Sequence, residues 1–294
     1  MTIEQILDKA LGAYLGFACG DALGATVEFM KPHQIQKRYG IHQDIIGGGW
    51  LALPAGQVTD DTQMALALGQ AIIDCQGWRI QTVADYFLSW MESQPPDIGN
   101  TTRRGITRYR DTGVLFGLPR LDDAGNGACM RNLPIVLATL NREDDFKQWS
   151  LQQSHITHNN PLSDAATITL GRMVKYLILE QNMERCLDEA HSLIQQHKEF
   201  AFSPYSGKAS AYIADTVQTV FHYFFNHSSF ESCLIATVNQ GDDADTTGAL
   251  AGMLAGAKYG LKHIPKRWLE QLDQEVVSQI RQQTLELLKL TGYP

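Results

Sequence analysis

The sequence predicts an all-α protein, a compact single-domain multi-helix bundle. Three observations predict it. Apolar residues recur at helical i, i+3, i+4 spacing along most of the 294 residues, alternating strand patterns are scarce, and the stretches between periodic runs are rich in Gly, Pro, Asn and Asp.

The first helix is read from Ile3, Ile6, Leu7, Ala10, Leu11, Tyr14, Leu15 and Ala18, which fall on helical spacing. A second run, 62–75, carries Met64-Ala65-Leu66-Ala67-Leu68 and is headed by Thr59-Asp60-Asp61-Thr62. Asp is a good N-cap, and carboxylates are favoured beside the partial positive charge of a helix N-terminus. Further helices are expected at 80–93, 102–111, 129–140, 143–155, 163–181, 184–197, 211–226 and 230–239. The last two expected are 246–260, directly after Gly241-Asp242-Asp243-Ala244-Asp245, and 265–290. The polar stretches 45–60, 94–100, 117–127, 157–162 and 202–208 read as loops, where sites are commonly carried. No low-complexity segment or linker divides the chain, so 1–294 reads as one domain.

Two helices share an unusual pattern. Gly12, Gly16, Gly20 and Gly24 are spaced by four, and so are Gly248, Gly252, Gly256 and Gly260. On a helical wheel each glycine row lies opposite an apolar row, Leu7, Leu11 and Ala18 in one helix and Leu250, Met253, Leu254 and Ala257 in the other. A helix with no polar face is usually buried. An interior glycine costs ~1 kcal/mol of helix propensity relative to Ala, so repeated glycines call for close backbone approach. Asp21 interrupts the first segment, and the second is too short and insufficiently apolar for a membrane GxxxG pair.

Composition narrows the function classes. The chain has 24 basic and 32 acidic residues and a net charge of −8, with no basic run longer than Arg103-Arg104 or Lys266-Arg267, which argues against a broad nucleic-acid footprint. Cys19, Cys75, Cys129, Cys186 and Cys233 are odd in number, widely spaced and without a Cys-x-x-Cys, as expected of buried thiols in a reduced cytoplasmic protein. Met1-Thr2-Ile3-Glu4 lacks the basic region of a signal peptide, and no uncharged apolar run reaches the ~18 residues a membrane helix needs.

The two acidic turns carry the chemistry. One Asp suffices for a cap, yet five crowd into Thr59-Asp60-Asp61-Thr62 and Asp242-Asp243-Ala244-Asp245-Thr246-Thr247. Hard oxygen-only clusters suit Mg²⁺ or Mn²⁺, and no His-Glu-x-x-His or paired-Cys motif competes for a softer metal. Two cations balance five carboxylates better than one. A close pair of metals would favour hydrolysis or group transfer at an oxygen-rich substrate. Central helices that begin at acidic turns offer a route for the two clusters to meet.

The combined pattern resembles the ADP-ribosylglycohydrolase family. It is carried by Gly-Asp-Ala-Leu-Gly-Ala at 20–25 with Glu28, Thr59-Asp60-Asp61-Thr62, and Gly125-Asn126-Gly127-Ala128 with Met130-Arg131. Thr157-His158 and Asp242-Asp243-Ala244-Asp245-Thr246-Thr247 complete it, in the family's order over nearly the whole chain. The length and the loop Pro95-Pro96-Asp97-Ile98-Gly99-Asn100-Thr101 are most similar to the bacterial branch that restores nitrogenase iron protein. The resemblance implies a bundle of the family's type, with two Mn²⁺ or Mg²⁺ ions at its centre. It implies Thr59, Asp60, Asp61, Asp243, Asp245 and Thr246 as ligands, with Asp242 orienting the turn. The implied activity is hydrolysis of ADP-ribose from a protein arginine, reversing mono-ADP-ribosylation. Another ADP-ribosyl linkage, to serine or a small molecule, or a non-catalytic metal-bound binding protein of the same fold, stands as the alternative.

Other residues are ordinary by themselves and gain roles from the resemblance. Asp97 is a common turn residue, but in this branch the matching Asp sits at the reactive ribose and is the catalytic candidate; Gly99, Asn100 and Thr101 accompany it as substrate-binding candidates. Glu28 is implied beside metals and substrate. Gly125, Asn126 and Gly127 either enter a helix as a plain loop or present N–H groups to the diphosphate at a helix N-terminus. His158 is implied to touch substrate, whereas His155 reads as a helix-end residue. Tyr212 is core by default and otherwise a stacking partner for adenine. Trp50, Trp78, Trp90, Trp149 and Trp268 are taken as packing. The implied partners are ADP-ribosylated dinitrogenase reductase and a PII signalling protein, with recruitment to the inner membrane through a partner and no direct insertion.

Overall fold

The computed structural model describes residues 1–293. Among these, fourteen α-helices make up the chain, with three short 3-10 turns and only isolated bridge pairs in place of strands. In order they are α1 (Ile3–Ala25), α2 (Pro32–Tyr39), α3 (Asp60–Asp74), α4 (Ile80–Glu92), α5 (Asn100–Thr112), α6 (Leu133–Ala138) and α7 (Glu143–His155). There follow α8 (Pro161–Leu179), α9 (Met183–Gln196), α10 (Ile213–Asn226), α11 (Phe230–Val238), α12 (Ala244–Tyr259), α13 (Lys266–Gln271) and α14 (Gln274–Lys289). One continuous apolar core joins them. Among the described residues, no helix is long and apolar enough to cross a membrane.

The two glycine rows face each other. α1 and α12 run antiparallel with Gly12 on Gly256, Gly16 on Gly252, Gly20 on Gly248 and Gly24 on Ala244. A methyl group on Gly12 would lie 2.5 Å from the Gly256 carbonyl oxygen, and one on Gly16 2.6 Å from that of Gly252. Backbone therefore packs directly on backbone. α12 is buried from Ala244 to Ala257 on every side, which explains its lack of a polar face. This seam has a positional consequence: the last turn of α1 lies beside the first turn of α12, so Glu28 arrives next to Asp243 and Asp245.

Three helical expectations are corrected. α2 is a helix the apolar pattern does not announce; it starts at Pro32, a good first helical residue, and buries only Ile35. The helix expected over 129–140 is shortened to α6, because Cys129 and Met130 donate to the Asn126 carbonyl in a tight turn. The helix expected over 265–290 breaks at Leu272-Asp273. There the Asp273 N–H donates to the Gly56 carbonyl (3.0 Å), and its side chain caps α14 by accepting from the N–H of Glu275 (2.8 Å). The cysteines are free; all but Cys75 are buried, and burial raises the Cys129, Cys186 and Cys233 thiols to about 12.

Candidate active site

Asp21 anchors the first acidic turn. It is fully buried on α1 and accepts from the Thr59 N–H (3.0 Å), the Thr62 N–H (3.1 Å) and the Thr62 hydroxyl (2.6 Å). It thus satisfies orphan donors at the N-terminus of α3, while Thr59 caps that helix through the Asp61 N–H. The second acidic turn is set at the start of α12, where the Asp243 N–H donates to the Ala209 carbonyl (2.8 Å). Because α1 carries Asp21 and packs along α12, both turns meet at one end of the glycine seam.

Two carboxylate triads result. Asp60, Asp61 and Asp245 each bring an oxygen within 4.8 Å of the others, and so do Glu28, Asp243 and Asp245. Asp245 belongs to both. The hydroxyls of Thr246 (3.2 Å) and Thr59 (3.4 Å) both donate to Asp61 Oδ2. Asp61 Oδ1 and Asp245 Oδ1 are buried with no hydrogen-bond partner. Such atoms are costly in a protein interior, and two of them in overlapping all-oxygen triads are what hard divalent cations would satisfy. These residues fit a metal centre.

The electrostatics agree. Burial, helped by Asp97, Asp21 and Asp243, raises Asp60 to about 8. Glu28 also rises to about 8, mainly from burial and despite a hydrogen bond from Trp50. Burial lifts Asp243 to about 6 and holds Asp61 and Asp245 well above the ordinary carboxylate range. No Lys or Arg lines the cavity, whose volume is about 470 Å³. Arg131, the cation behind it, is engaged with Gln153, Thr157 and the face of Phe87.

The remaining expected residues line the same cavity or its margin. Asp97 is half-buried at the rim, with Oδ1 accepting the Ile98 N–H (2.7 Å). Gly99 is the N-cap of α5, its backbone N–H turned to Asp60, and Asn100 and Thr101 form that helix's first turn. Asn126 is buried; its side-chain amide donates to Asp243 Oδ2 and to Thr216 Oγ1 (3.0 Å), and its own N–H goes to the Ala211 carbonyl (3.1 Å). Since α6 begins only at Leu133, Gly125–Gly127 form a platform beside a turn, not a helix N-terminus. His158 is buried over Gly125 and Gly127. Its Nδ1 lies 2.7 Å from Thr157 Oγ1, which accepts from Arg131 Nη2 (2.8 Å). In the tautomer in which Thr157 donates to Nδ1, Nε2–H faces the glycines. Burial, then Arg131 and Arg104, depresses His158 to about 3 and keeps it neutral. Tyr212 is not core: 40% exposed, it lines a smaller recess with Thr101, Gly125 and Ala211, which the main cavity shares.

Some residues fall elsewhere or were missed. Asp242 lies outside the cavity lining; its carboxylate accepts from Lys31 Nζ (2.5 Å), and its backbone pairs with Phe29 and Met30. His155 ends α7 and pairs with Asp164 (2.8 Å). Trp78 and Trp149 stack on each other, and Trp90 and Trp268 are buried, but Trp50 is not packing: it lines the cavity and donates to Glu28 Oε2 (2.6 Å). Phe29 carries no signal in the sequence, Asp21 lies inside the Gly-Asp-Ala-Leu-Gly-Ala motif without a role of its own, and Trp50 reads there as packing.

An all-helical bundle with overlapping carboxylate triads at the heads of two of its helices defines a protein built around a candidate oxygen-ligand metal centre. The ADP-ribosylglycohydrolase family model matches residues 2–293, and the chain belongs to that family. It is 54% identical over 292 residues to the ADP-ribosyl-[dinitrogen reductase] glycohydrolase of Rhodospirillum rubrum, covering 99% of each chain. It is 32% identical to ADP-ribosylarginine hydrolase Tri1 of Serratia proteamaculans, over 95% of this chain and 80% of that one. A solved structure described as an ADP-ribosylglycohydrolase-related protein complex superposes with a TM-score of 0.86 at 31% identity, over 98% of this chain and 99% of that one.

Proposed function

We propose that this chain is a single-domain, metal-dependent hydrolase that removes ADP-ribose from an arginine of dinitrogenase reductase and so reactivates it. The observation that carries the chemistry is one cavity, lined by no Lys or Arg, in which Asp97 faces Glu28, Asp60, Asp243 and Asp245, members of two carboxylate triads joined at Asp245. The choice of target rests on the full-length similarity to the Rhodospirillum rubrum protein.

Thr59, Asp60, Asp61, Asp243, Asp245 and Thr246 would hold two Mn²⁺ or Mg²⁺ ions, with Glu28 facing the same centre. When bound, the ions neutralise the triads and polarise oxygens of the ribose and of water. His158 Nε2–H and the Gly125–Gly127 platform receive the diphosphate, and Tyr212 stacks on adenine in the adjoining recess. Asn126 holds Asp243 by its amide, and Gly99, Asn100 and Thr101 border the ribose.

The bond to break joins ribose C1 to a guanidinium nitrogen. As it lengthens, its electron pair leaves with the nitrogen and positive charge grows on C1 and the ring oxygen. The surrounding carboxylates stabilise that charge. Water adds to C1, and its proton passes through Asp97 to the departing guanidine, which leaves as guanidinium. Such proton transfer is typically worth ~10²–10⁴-fold in rate.

The enzyme would act in the cytoplasm, with a PII signalling protein as regulator and recruitment to the inner membrane through a partner. The test is release of ADP-ribose from an arginine-modified protein. Chelation should abolish it and added Mn²⁺ restore it, while a serine-linked substrate run in parallel should remain intact. Preferential release from serine would redirect the substrate assignment, and no release from either with Mn²⁺ present would favour a binding protein.

A further inference from the structure

Phe29 and Trp50 stand out among the cavity residues because both are large, aromatic and exposed, at 62% and 53%. Their ring centroids are 5.3 Å apart at an interplanar angle of 48°, and both face the cavity that holds Asp97, Asp60 and Glu28. Neither belongs to the recess lined by Tyr212 and Gly125. The aromatic pair is therefore on the part of the cavity left free once a nucleotide occupies the glycine–tyrosine side.

The backbone is committed to this display. Gly47, Gly48 and Gly49 all have left-handed φ (68°, 86° and 70°), and Gly49 lies so close to the Ala25 carbonyl that a side chain there would collide with it. The turn they begin is closed by paired Gly48–Leu53 backbone bonds (2.7 and 3.0 Å) and tied to α1 by the Thr26 hydroxyl on the Gly47 carbonyl (3.0 Å). Trp50 sits within that turn, oriented by its bond to Glu28. Phe29 itself has φ 61°, uncommon for a bulky residue, and is held there by donating to the carbonyl of Asp242, whose φ is 53°. Strained backbone persisting at a site points to use there.

We infer that Phe29 and Trp50 form the seat for the arginine side chain of the modified target, and so determine the enzyme's preference for a guanidinium linkage. This rests on the function proposed above. A guanidinium is planar, weakly hydrated and stacks on aromatic faces. Asp97 supplies counter-charge beside the rings, Glu28 accepts from Trp50 at the same wall, and no Lys or Arg side chain lines the cavity. A serine-linked target offers neither a plane nor a charge, and would gain little from the same walls.

The experiment uses the Mn²⁺-loaded enzyme with an ADP-ribosylarginine peptide for kinetics and free ADP-ribose, which lacks the guanidine, for calorimetry. Trp50→Leu should raise KM for the peptide on the order of tenfold, within the roughly 2- to 30-fold range of a cation–π contact. Its kcat should stay within about threefold and its ADP-ribose affinity within about twofold of wild type. Trp50→Phe, which keeps a ring but loses the bond to Glu28, should recover most of the KM, and Phe29→Leu should repeat the KM rise. An unchanged peptide KM, equal losses of peptide and ADP-ribose binding, or a Phe variant as impaired as the Leu variant would each overturn the seat alone. Wild-type enzyme inactive on the peptide would overturn the seat together with the function on which it rests.

Discussion

The glycine seam and the acidic cavity at its end are opposites built from the same two helices. Along the seam the glycine rows of α1 and α12 bring backbone onto backbone, and the charge that meets α12 there, Lys9, is satisfied by the Ala257 and Lys258 carbonyls. At the cavity the continuation of those helices presents Glu28, Asp243 and Asp245, with Asp60 and Asp61 brought beside them, and two carboxylate oxygens lack any partner. The first region is favourable as packed; the second is favourable only with cations added. The difference shows how the fold keeps mutually repelling carboxylates together: it fixes their helices elsewhere, along the most extensive helix–helix contact among the described residues. Stability and function are thereby separated along one helix pair.

That separation can be broken from either side, and the largest effect is expected at the cavity. Asp97→Asn should lower kcat by ~10²–10⁴-fold with the thermal shift on adding Mn²⁺ intact, as read by steady-state kinetics and melting curves. If the variant turned over normally, the proton-transfer role would go. Next comes the seam: Gly20→Ala pushes a methyl group into the Gly248 carbonyl. Overpacking of this kind costs ~1–3 kcal/mol, so denaturant unfolding should show a lower midpoint whether or not metal is present. A midpoint equal to wild type would mean that the helices can separate freely.

A third effect joins the two regions. In metal-free protein Asp60 and Glu28 hold their protons to about pH 8 and Asp243 to about pH 6, whereas the unfolded chain releases them near pH 4. The folded state then binds more protons than the unfolded one, so stability falls as pH rises from about 4 to about 8. The fall should be on the order of a kcal/mol or more, and Mn²⁺ should abolish it. Melting curves in EDTA and in Mn²⁺ at pH 5 and pH 8 check both sign and cause. The smallest effect belongs to Lys31→Ala. Its ion pair with Asp242 is exposed on the lysine side, so unfolding should change by less than ~1 kcal/mol and metal stoichiometry not at all.

Much of this was legible in the chain because it is written locally. Glycines spaced by four declare a close helix contact, and adjacent aspartates before a helix declare a charge problem. What was not legible depends on distant partners. The break at Leu272-Asp273 interrupts no helical periodicity in the sequence and is set by the Gly56 carbonyl. α2 has too little apolar periodicity to announce itself. Asp21 looked like an interruption of a glycine helix, and its meaning comes from Thr59 and Thr62, far along the sequence. Nothing local distinguishes Trp50 from a core tryptophan; its role comes from Glu28, which accepts its indole N–H.

The central claim is that Asp245 joins two triads into one binuclear centre. Calorimetric titration of EDTA-stripped protein with Mn²⁺ tests it most directly. Two ions per chain in the wild type, and loss of both in Asp245→Asn while the variant stays folded, is the predicted result. A single ion in the wild type, or two ions retained without the Asp245 carboxylate, would contradict it.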